Sequence, residues 1–421
     1  MNKSQAHILF IAPPQSYRIA PYLKAAKELD CDLTIASMGE YSLVSPIAEG
    51  IHIDFADHEA ALARLKEHHQ QHPFNAVIGG DDLAVELASR LANELGLAHN
   101  SPQASLLTRR KDLARAHLQQ AGVAVPAHSL IDLTRPLAIQ LEQLHYPCVL
   151  KPLAMSMSRG VIRVDNTEQA QQACARIESI IQEALVEEEQ QKILAEQYID
   201  GEEIAYEGLL TNGELKTLLF FDKPEPLTGP YFEESYYITP SRQDKDIQQR
   251  VYEVVKAACD SYGLVTGPVH AELRVDEDGK VWVLEVAART IGGECARLVE
   301  LATEQSLEKL VLSNALSQLH SLPELKGAAG VLMIPTTQAG VLRRVEGVMA
   351  AQNVEGIKEV VLSVREGHQL VPLPEGSSYL GFMYGLAETP EQVEQALREA
   401  HAKLNVVIAP LFDIEDRRNT T

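Results

Sequence analysis

The stretch 267–293, GPVHAELRVDEDGKVWVLEVAARTIGG, restricts what this chain can fold into more than any other part of it. Two runs of alternating apolar and polar residues, 267–275 and 280–289, flank Asp276, Glu277, Asp278 and Gly279. Period-two runs around a polar, glycine-containing tetrapeptide predict a β-hairpin with a four-residue turn. That turn sets 275 opposite 280, 272 opposite 283 and 270 opposite 285. Side chains alternate across a strand, so His270, Glu272, Arg274, Val283, Glu285, Ala287 and Arg289 share one face. Glu272 and Glu285 become diagonal neighbours, with Cα atoms roughly 7–8 Å apart. Val281 and Val283, assigned to the same face, imply that it is partly covered. Two carboxylates converging on a covered face repel unless something positive sits between them. A solvated acidic edge is the alternative for the hairpin taken alone.

A chain of 421 residues exceeds one ordinary core and predicts two or three domains. No apolar run approaches the ~20 residues of a membrane span, and MNKSQAHILFIAPPQ lacks a secretory apolar region, so no membrane partner is expected. Cys31, Cys148, Cys174, Cys259 and Cys295 are scattered without metal-site spacing, which predicts buried free thiols and a cytoplasmic protein. The formal net charge of −22 argues against a nucleic-acid partner. It also means that any polyanionic ligand must be met by a local cluster of cations.

Residues 1–100 alternate strands (7–12, 32–37, 51–55, 76–80) with helices (21–29, 58–71, 82–95), the pattern of a parallel α/β sheet covered on both faces. Gly79-Gly80-Asp81-Asp82 follows a strand and opens a helix, either as a ligand-docking turn or as a tight turn with an Asp cap. One or two helices are expected over 102–122, with Lys111 in an RRKDLAR cluster that by itself reads as a solvated face. A strand over 123–131 and a helix over 136–144 follow. In PCVLKPL, Lys151 sits within an apolar strand. The next loop, 154–161, supplies Ser156, Ser158, Arg159 and Gly160 before a strand over 161–165. Backbone N–H groups, hydroxyls and an ammonium so placed can cradle a phosphate; a plain hairpin with a snorkelling lysine is the alternative.

Residues 167–188 read as an acidic helix, and 192–199 as a strand whose lone charge is Glu196. Thr211-Asn212-Gly213-Glu214 is a type I′ hairpin turn. The segment 222–241, with Tyr231, Phe232, Tyr236 and Tyr237, reads as an irregular ordered loop that either lines a site or packs internally. Helix 243–262 leads into the hairpin, and helices near 294–303 and 306–319 follow it. Residues 328–412 predict a compact α+β unit with strands 330–335, 357–366 and 379–386 and a helix 390–404. That unit could serve as a lid, a cap or an oligomer contact, and the last nine residues read as a frayed end.

Lys111, then VLKP with Lys151, the Ser/Gly loop, AEQYIDGEE, and two carboxylates 13 residues apart form an ordered set. That set resembles the ATP-grasp superfamily over roughly 105–320, and within it the carboxylate–amine ligases that make dipeptides. The resemblance implies an ATP-grasp fold with an N-terminal parallel α/β domain (1–104), an ATP-grasp domain (105–322, with a lid near 147–200) and a small C-terminal α+β domain (323–421). It implies that Lys111 and Lys151 hold ATP phosphates and that Ser156, Ser158, Arg159 and Gly160 close over them. Glu196 would accept from the adenine amine, the backbone of Gln197, Tyr198 and Ile199 would read the ring edge, and Glu203, or Glu202 in a shifted register, would hold the ribose. Glu272 and Glu285 would ligate Mg²⁺, with Mn²⁺ as a substitute, and Arg289 would stabilise the transferring phosphoryl group.

His270 is placed opposite Glu285, to orient it, touch substrate, act as base, or serve only structurally. Gly292 and Gly293 allow backbone approach to an acyl phosphate or simply form a turn. The sequence departs from the superfamily pattern at Ala287, where an asparagine ligand is common, and in the sparse glycines around Met155 and Met157. The implied activity is ATP- and Mg²⁺-dependent joining of a small carboxylate to an amine, with amino acids or peptides as substrates, in a protein for which a homodimer is an allowed assembly. A carboxylating enzyme using bicarbonate, and a non-catalytic nucleotide-binding regulator, are the rival readings.

Overall fold

A computed structural model describes residues 5–39, 50–183 and 191–411, which divide into two compact units. The first comprises 1–130, 196–223 and 239–327; the second comprises 131–195, 224–238 and 328–421. The end of the helix expected over 167–188, and the last nine residues, lie outside the described residues.

The first unit begins with a parallel sheet in the order Gly50–His52, Asp32–Ser37, His7–Ile11, Ala76–Gly79. Its strands are β-branched and apolar because helices cover both faces, and Leu9, Ile11, Leu62, Leu65, Leu87 and Leu91 form one core. The 102–122 stretch is two helices, Pro102–Arg109 and Lys111–Gln120. Ser101 caps the first by accepting from Ala104 N, and Arg110 breaks the chain between them at φ −93°, ψ 99°. That break makes Lys111 the first residue of its helix.

Four antiparallel strands complete the first unit, in the order Val281–Ala287, Gly267–Val275, Glu202–Thr211, Glu214–Asp222. The expected type I′ turn is present, with Asn212 and Gly213 at φ 51° and 81°. Helix Lys245–Tyr262 packs its apolar stripe, Val251, Val255 and Cys259, on this sheet beside Val269, Leu273 and Val283. Gly201, at φ 132°, lets the chain entering this sheet press against Val275, whose carbonyl oxygen would lie 2.1 Å from an added Cβ.

The hairpin register differs from the expected one. Val275 faces Val281, Leu273 faces Val283, and then a bulge shifts the pairing so that Glu272 faces Glu285 and His270 faces Ala287. The turn therefore holds five residues, and Leu284 is the extra residue on its strand. The extra turn residue reverses the faces of 281 and 283, and the bulge returns Glu285 and Ala287 to the face of Glu272 and His270. Val281 and Val283 thus join the apolar core on the side opposite Glu285, correcting the single-face assignment.

The second unit holds a sheet in the order His128–Asp132, Lys192–Gln197, Cys148–Lys151, Ile162–Val164, with helix Thr167–Glu183 packing Ala173, Ile177 and Ile181 against it. The strand expected over 123–131 is regular only from His128, and its helix only over Leu137–Leu141. A further antiparallel set runs Tyr236–Thr239, Ala328–Ile334, Gly381–Ala387, Ile357–Leu362. The strand Tyr236–Thr239 corrects the expectation that 222–241 is wholly irregular; prolines at 230 and 240 mask a run of β-formers. Tyr236 and Tyr237 are buried there rather than displayed. The strands Gln369–Leu370, Gly340–Glu346 and Asn405–Ala409 form a small sheet that was not anticipated.

Candidate functional site

The directly opposed pair, Glu272 and Glu285, is the centre of the first unit's charged face. Each carboxylate has two cationic neighbours. Lys223 Nζ lies 3.4 Å and His270 Nε2 3.5 Å from Glu272 Oε1. Lys111 Nζ lies 3.3 Å from Glu285 Oε2, and Arg289 Nη2 lies 3.6 Å from Glu285 Oε1. Three further carboxylates share those cations, Asp82 with Arg289, Glu203 with Lys223 and Glu207 with His270, so the cluster is an interleaved network of both signs. Burial would push Glu272 up, but the Lys223 ammonium and His270 more than offset it and hold its carboxyl well below the usual carboxylate range.

Lys111 stands at the positive end of a helix dipole, where a cation is disfavoured. Glu285, 174 positions away in sequence, compensates it. A local rule broken in this way marks a residue kept for its side chain's position.

Arg289 is also gripped by Asp82, with Nε–Oδ1 at 3.1 Å and Nη2–Oδ2 at 3.2 Å. Burial disfavours its charge, but Asp82 and Glu285 outweigh this and raise its pKa. The Gly79-Gly80-Asp81-Asp82 turn thus supports the guanidinium from the carboxyl end of the parallel sheet. Asp81 accepts from Leu83 N and Ala84 N and is pushed up to about 6 by burial and by Asp82. Arg18 braces the neighbouring 290–291 backbone, donating to Thr290 Oγ1 at 2.6 Å and Ile291 O at 2.9 Å.

His270 does not face Glu285. Ala287 stands there instead, and the pairing with Glu202–Thr211 sets His270 beside Glu207, whose Oε2 is 3.3 Å from Nδ1 within ion-pair distance but outside hydrogen-bond geometry. Burial lowers the His270 pKa, yet the two glutamates raise it overall, so a charged ring between them is favoured. Glu207 is fully buried and also accepts from Ile291 N at 3.1 Å.

The remaining expected ligands of the first unit occupy two further places. Glu203 is buried, 2.7 Å from Lys223 Nζ and 3.2 Å from Arg274 Nε, while Arg274 also donates to Ile199 O at 2.7 Å. Glu202 is exposed and hydrogen-bonds Gln243. Glu196 is buried against Arg115, 2.5 Å away, and the same guanidinium donates to Leu284 O at the bulge. Gln197 N donates to Ala127 O at 2.8 Å, and the Tyr198 ring lies 5.2 Å from the Arg274 guanidinium carbon.

In the second unit Lys151 ends the strand Cys148–Lys151 and is buried. Ser156 is exposed, Ser158 and Arg159 are half-buried, and Met157, Ser158 and Gly160 adopt φ of 60°, 54° and 72°. Two successive non-glycine residues in the left-handed region cost about 1 kcal/mol each and persist only when surroundings hold them. Arg159 Nε donates to Glu375 O at 2.8 Å and its Nη2 lies 3.2 Å from Glu183.

Lys223, Glu207, Arg115 and Arg18 were not singled out as site residues from sequence, and Asp82 only as part of the turn that either docks a ligand or caps a helix. Glu207, the lone charge in IAYEGLL, carries the same signal that marked Glu196 and Lys151. Lys223 follows its strand in a proline-rich loop and carries no comparable mark.

The donor set fits Mg²⁺: ionised, half-exposed carboxylate oxygens on two rigid paired strands. Ala287 is wholly buried opposite His270 and offers no further oxygen from its side chain.

Residues 144–297 match the ATP-grasp domain, and 332–409 match the L-amino acid ligase C-terminal domain 2. The chain is 25% identical over 233 residues to the alanine–anticapsin ligase of Bacillus subtilis, covering 52% of this chain and 49% of that protein. It therefore spans about half the length of that relative. It is 20% identical over 330 residues to an L-arginine-specific L-amino acid ligase of Bacillus subtilis, covering 77% of this chain and 78% of that protein. The crystal structure of the L-amino acid ligase from Bacillus licheniformis superposes with a TM-score of 0.81 at 27% identity, over 96% of this chain and 99% of that one.

Proposed function

This chain is a member of the ATP-grasp superfamily with an L-amino acid ligase C-terminal domain, and on that premise we propose that it joins a carboxylate to an amine, with amino acids or peptides as substrates, at the cost of ATP hydrolysed to ADP and phosphate. The observation that carries the reading is the Glu272–Glu285 pair ringed by Lys111, Lys223, His270 and Arg289. Its interleaved carboxylates and cations suit a metal–polyphosphate.

A substrate carboxylate oxygen attacks the γ-phosphorus, the β–γ bridging P–O bond breaks, and ADP leaves. The amine nitrogen of the second substrate then attacks the acyl-phosphate carbon, the C–O bond to phosphate breaks, and the amine proton passes to a base. Positioning and charge stabilisation supply most of the rate. Arg289, anchored by Asp82, stabilises charge on the transferring phosphoryl group, and Lys111 binds phosphate oxygens. Glu272 and Glu285 are the residues that would hold Mg²⁺, which supplies neutralisation of phosphate charge when bound. His270 keeps Glu272 ionised and oriented. In the second unit, Lys151 and the 156–160 loop keep the phosphate-binding role that the resemblance implies. Five buried free cysteines favour a cytoplasmic setting, and a homodimer is the assembly to test by light scattering.

Incubation with MgATP and pools of amino acids tests the reading. ADP and phosphate should form only when an acid and an amine are both supplied. Release of AMP and pyrophosphate would refute the acyl-phosphate route, and phosphate formation driven by bicarbonate alone would favour the carboxylating rival.

A further inference from the structure

Within the second unit, the turn that follows Gln369–Leu370 reaches the 156–160 loop and holds it at several points. Gly160 N donates to Pro374 O at 2.9 Å, and Arg159 Nε donates to Glu375 O at 2.8 Å. The Glu375 carboxylate is turned the other way, onto helix Thr167–Glu183. There Arg176 grips it in a two-point fork, with Nε–Oε1 at 2.7 Å and Nη2–Oε2 at 2.8 Å. The third corner of the Arg176 guanidinium donates to Tyr231 Oη, and its carbon lies 5.3 Å from that ring's centroid. Tyr231 in turn bridges to Ile162, which pairs with Leu150, the neighbour of Lys151. The turn itself is tight: Gly376 N donates to Pro372 O at 2.9 Å, and a Cβ on Gly376 would meet Val371 O at 1.7 Å.

A fork between guanidinium and carboxylate fixes direction as well as distance, unlike a single ammonium contact. The loop has need of such a fixture, since Met157 and Ser158 both occupy left-handed backbone without being glycine. Arg159, which charge alone would assign to a phosphate, spends its Nε on the Glu375 carbonyl and turns Nη2 to Glu183. Its geometry is that of an anchor.

We propose that Glu375 is a positioning residue for nucleotide binding: by clamping Arg176 and presenting its own and the Pro374 carbonyl, it holds the 156–160 loop in the shape that receives phosphate. The C-terminal domain is on this account part of the nucleotide-binding machinery. The inference rests on the reading of 156–160 as a phosphate-binding loop.

The test is calorimetric binding of MgATP to the full chain without amino acids, for wild type, Glu375→Ala, Glu375→Gln, Arg176→Ala and the double variant Glu375→Ala with Arg176→Ala, at a temperature well below each variant's melting point. Glu375→Ala and Arg176→Ala should each weaken MgATP binding roughly tenfold, the double variant should be no weaker than either alone, and Glu375→Gln, which keeps one acceptor, should recover part of the loss. A lowered melting temperature with MgATP affinity unchanged in both alanine variants would overturn the proposal, because a purely structural tie would behave that way. Failure of the wild-type chain to bind MgATP would instead overturn the loop reading, and the positioning role with it.

Discussion

Glu272 and Glu285 face each other across the bulged hairpin, and each has two cations beside it: Lys223 and His270 for the first, Lys111 and Arg289 for the second. The repulsion expected between two converging carboxylates is thus balanced by protein side chains before any ligand arrives. Glu285 joins Lys111, from a distant helix start, to Arg289 four residues further along its own segment. Glu285→Ala should reduce ATP-dependent ligation by about 10²-fold or more, since it removes a metal-ligating oxygen and uncouples Lys111 and Arg289. Steady-state release of phosphate checks this, and activity within a few per cent of wild type would remove Glu285 from the site.

Lys151 is buried at the end of its strand, a few residues before the 156–160 loop that is read as phosphate-binding. Lys151→Ala should weaken MgATP binding by about 10–100-fold, the range for one charge-assisted hydrogen bond. Equilibrium nucleotide titration reads this directly, and an unchanged affinity would place phosphate binding elsewhere.

Asp81 holds its proton more tightly when folded than when unfolded, because burial and Asp82 push its pKa from 3.8 up to about 6. The folded state binds the extra proton between those values, so stability falls as pH rises through that window and stays lower above it. Asp81→Asn keeps an oxygen acceptor for Leu83 N and Ala84 N but carries no charge. The variant should be more stable than wild type by about 1–2 kcal/mol at pH 8, a value discounted for partial exposure, with the advantage vanishing near pH 4. Urea denaturation at the two pH values checks the sign; an equal difference at both would contradict it.

Arg115 and Glu196 form a buried pair, at 1% and 2% side-chain exposure. Removing the cation alone leaves a buried carboxylate, so Arg115→Leu should cost about 3–5 kcal/mol of stability. Arg115→Leu combined with Glu196→Leu should recover most of it. Thermal unfolding of the two variants decides, and a double variant as unstable as the single one would show that packing, not charge, sets the loss.

Much of the fold is legible locally. The parallel strands and helix His58–Gln71 follow from period and caps, with Asp57 accepting from Ala60 N. The hairpin's two strands follow from alternation, and the charge pattern marks Lys151, Glu272 and Glu285, while Lys111 and Arg289 gain their roles only from the ordered set that carries the resemblance. Less legible are the short strands Gly340–Glu346, Gln369–Leu370 and Asn405–Ala409, which pair with one another across intervening segments and are only partly covered. A strand that gains its stability from a remote partner leaves little trace in its own residues.

Sequence alone determined which side chains had to be charged, which runs had to be strands, and that two acids would meet on one hairpin. Tertiary structure decided how they meet. The five-residue turn and the bulge at Leu284 together shift the pairing by two, turning a diagonal pair into an opposed one and setting Ala287 rather than Glu285 opposite His270, while the pairing with Glu202–Thr211 puts Glu207 beside that ring. Pairing registers depend on the count of residues between fixed points, and one extra residue changes every later side chain's face without altering the alternation that a reader can see. The cations that make the opposed acids tolerable, Lys111, Lys223 and Arg289, come from a helix start, a strand end and the chain beyond the hairpin, and only folding brings them together.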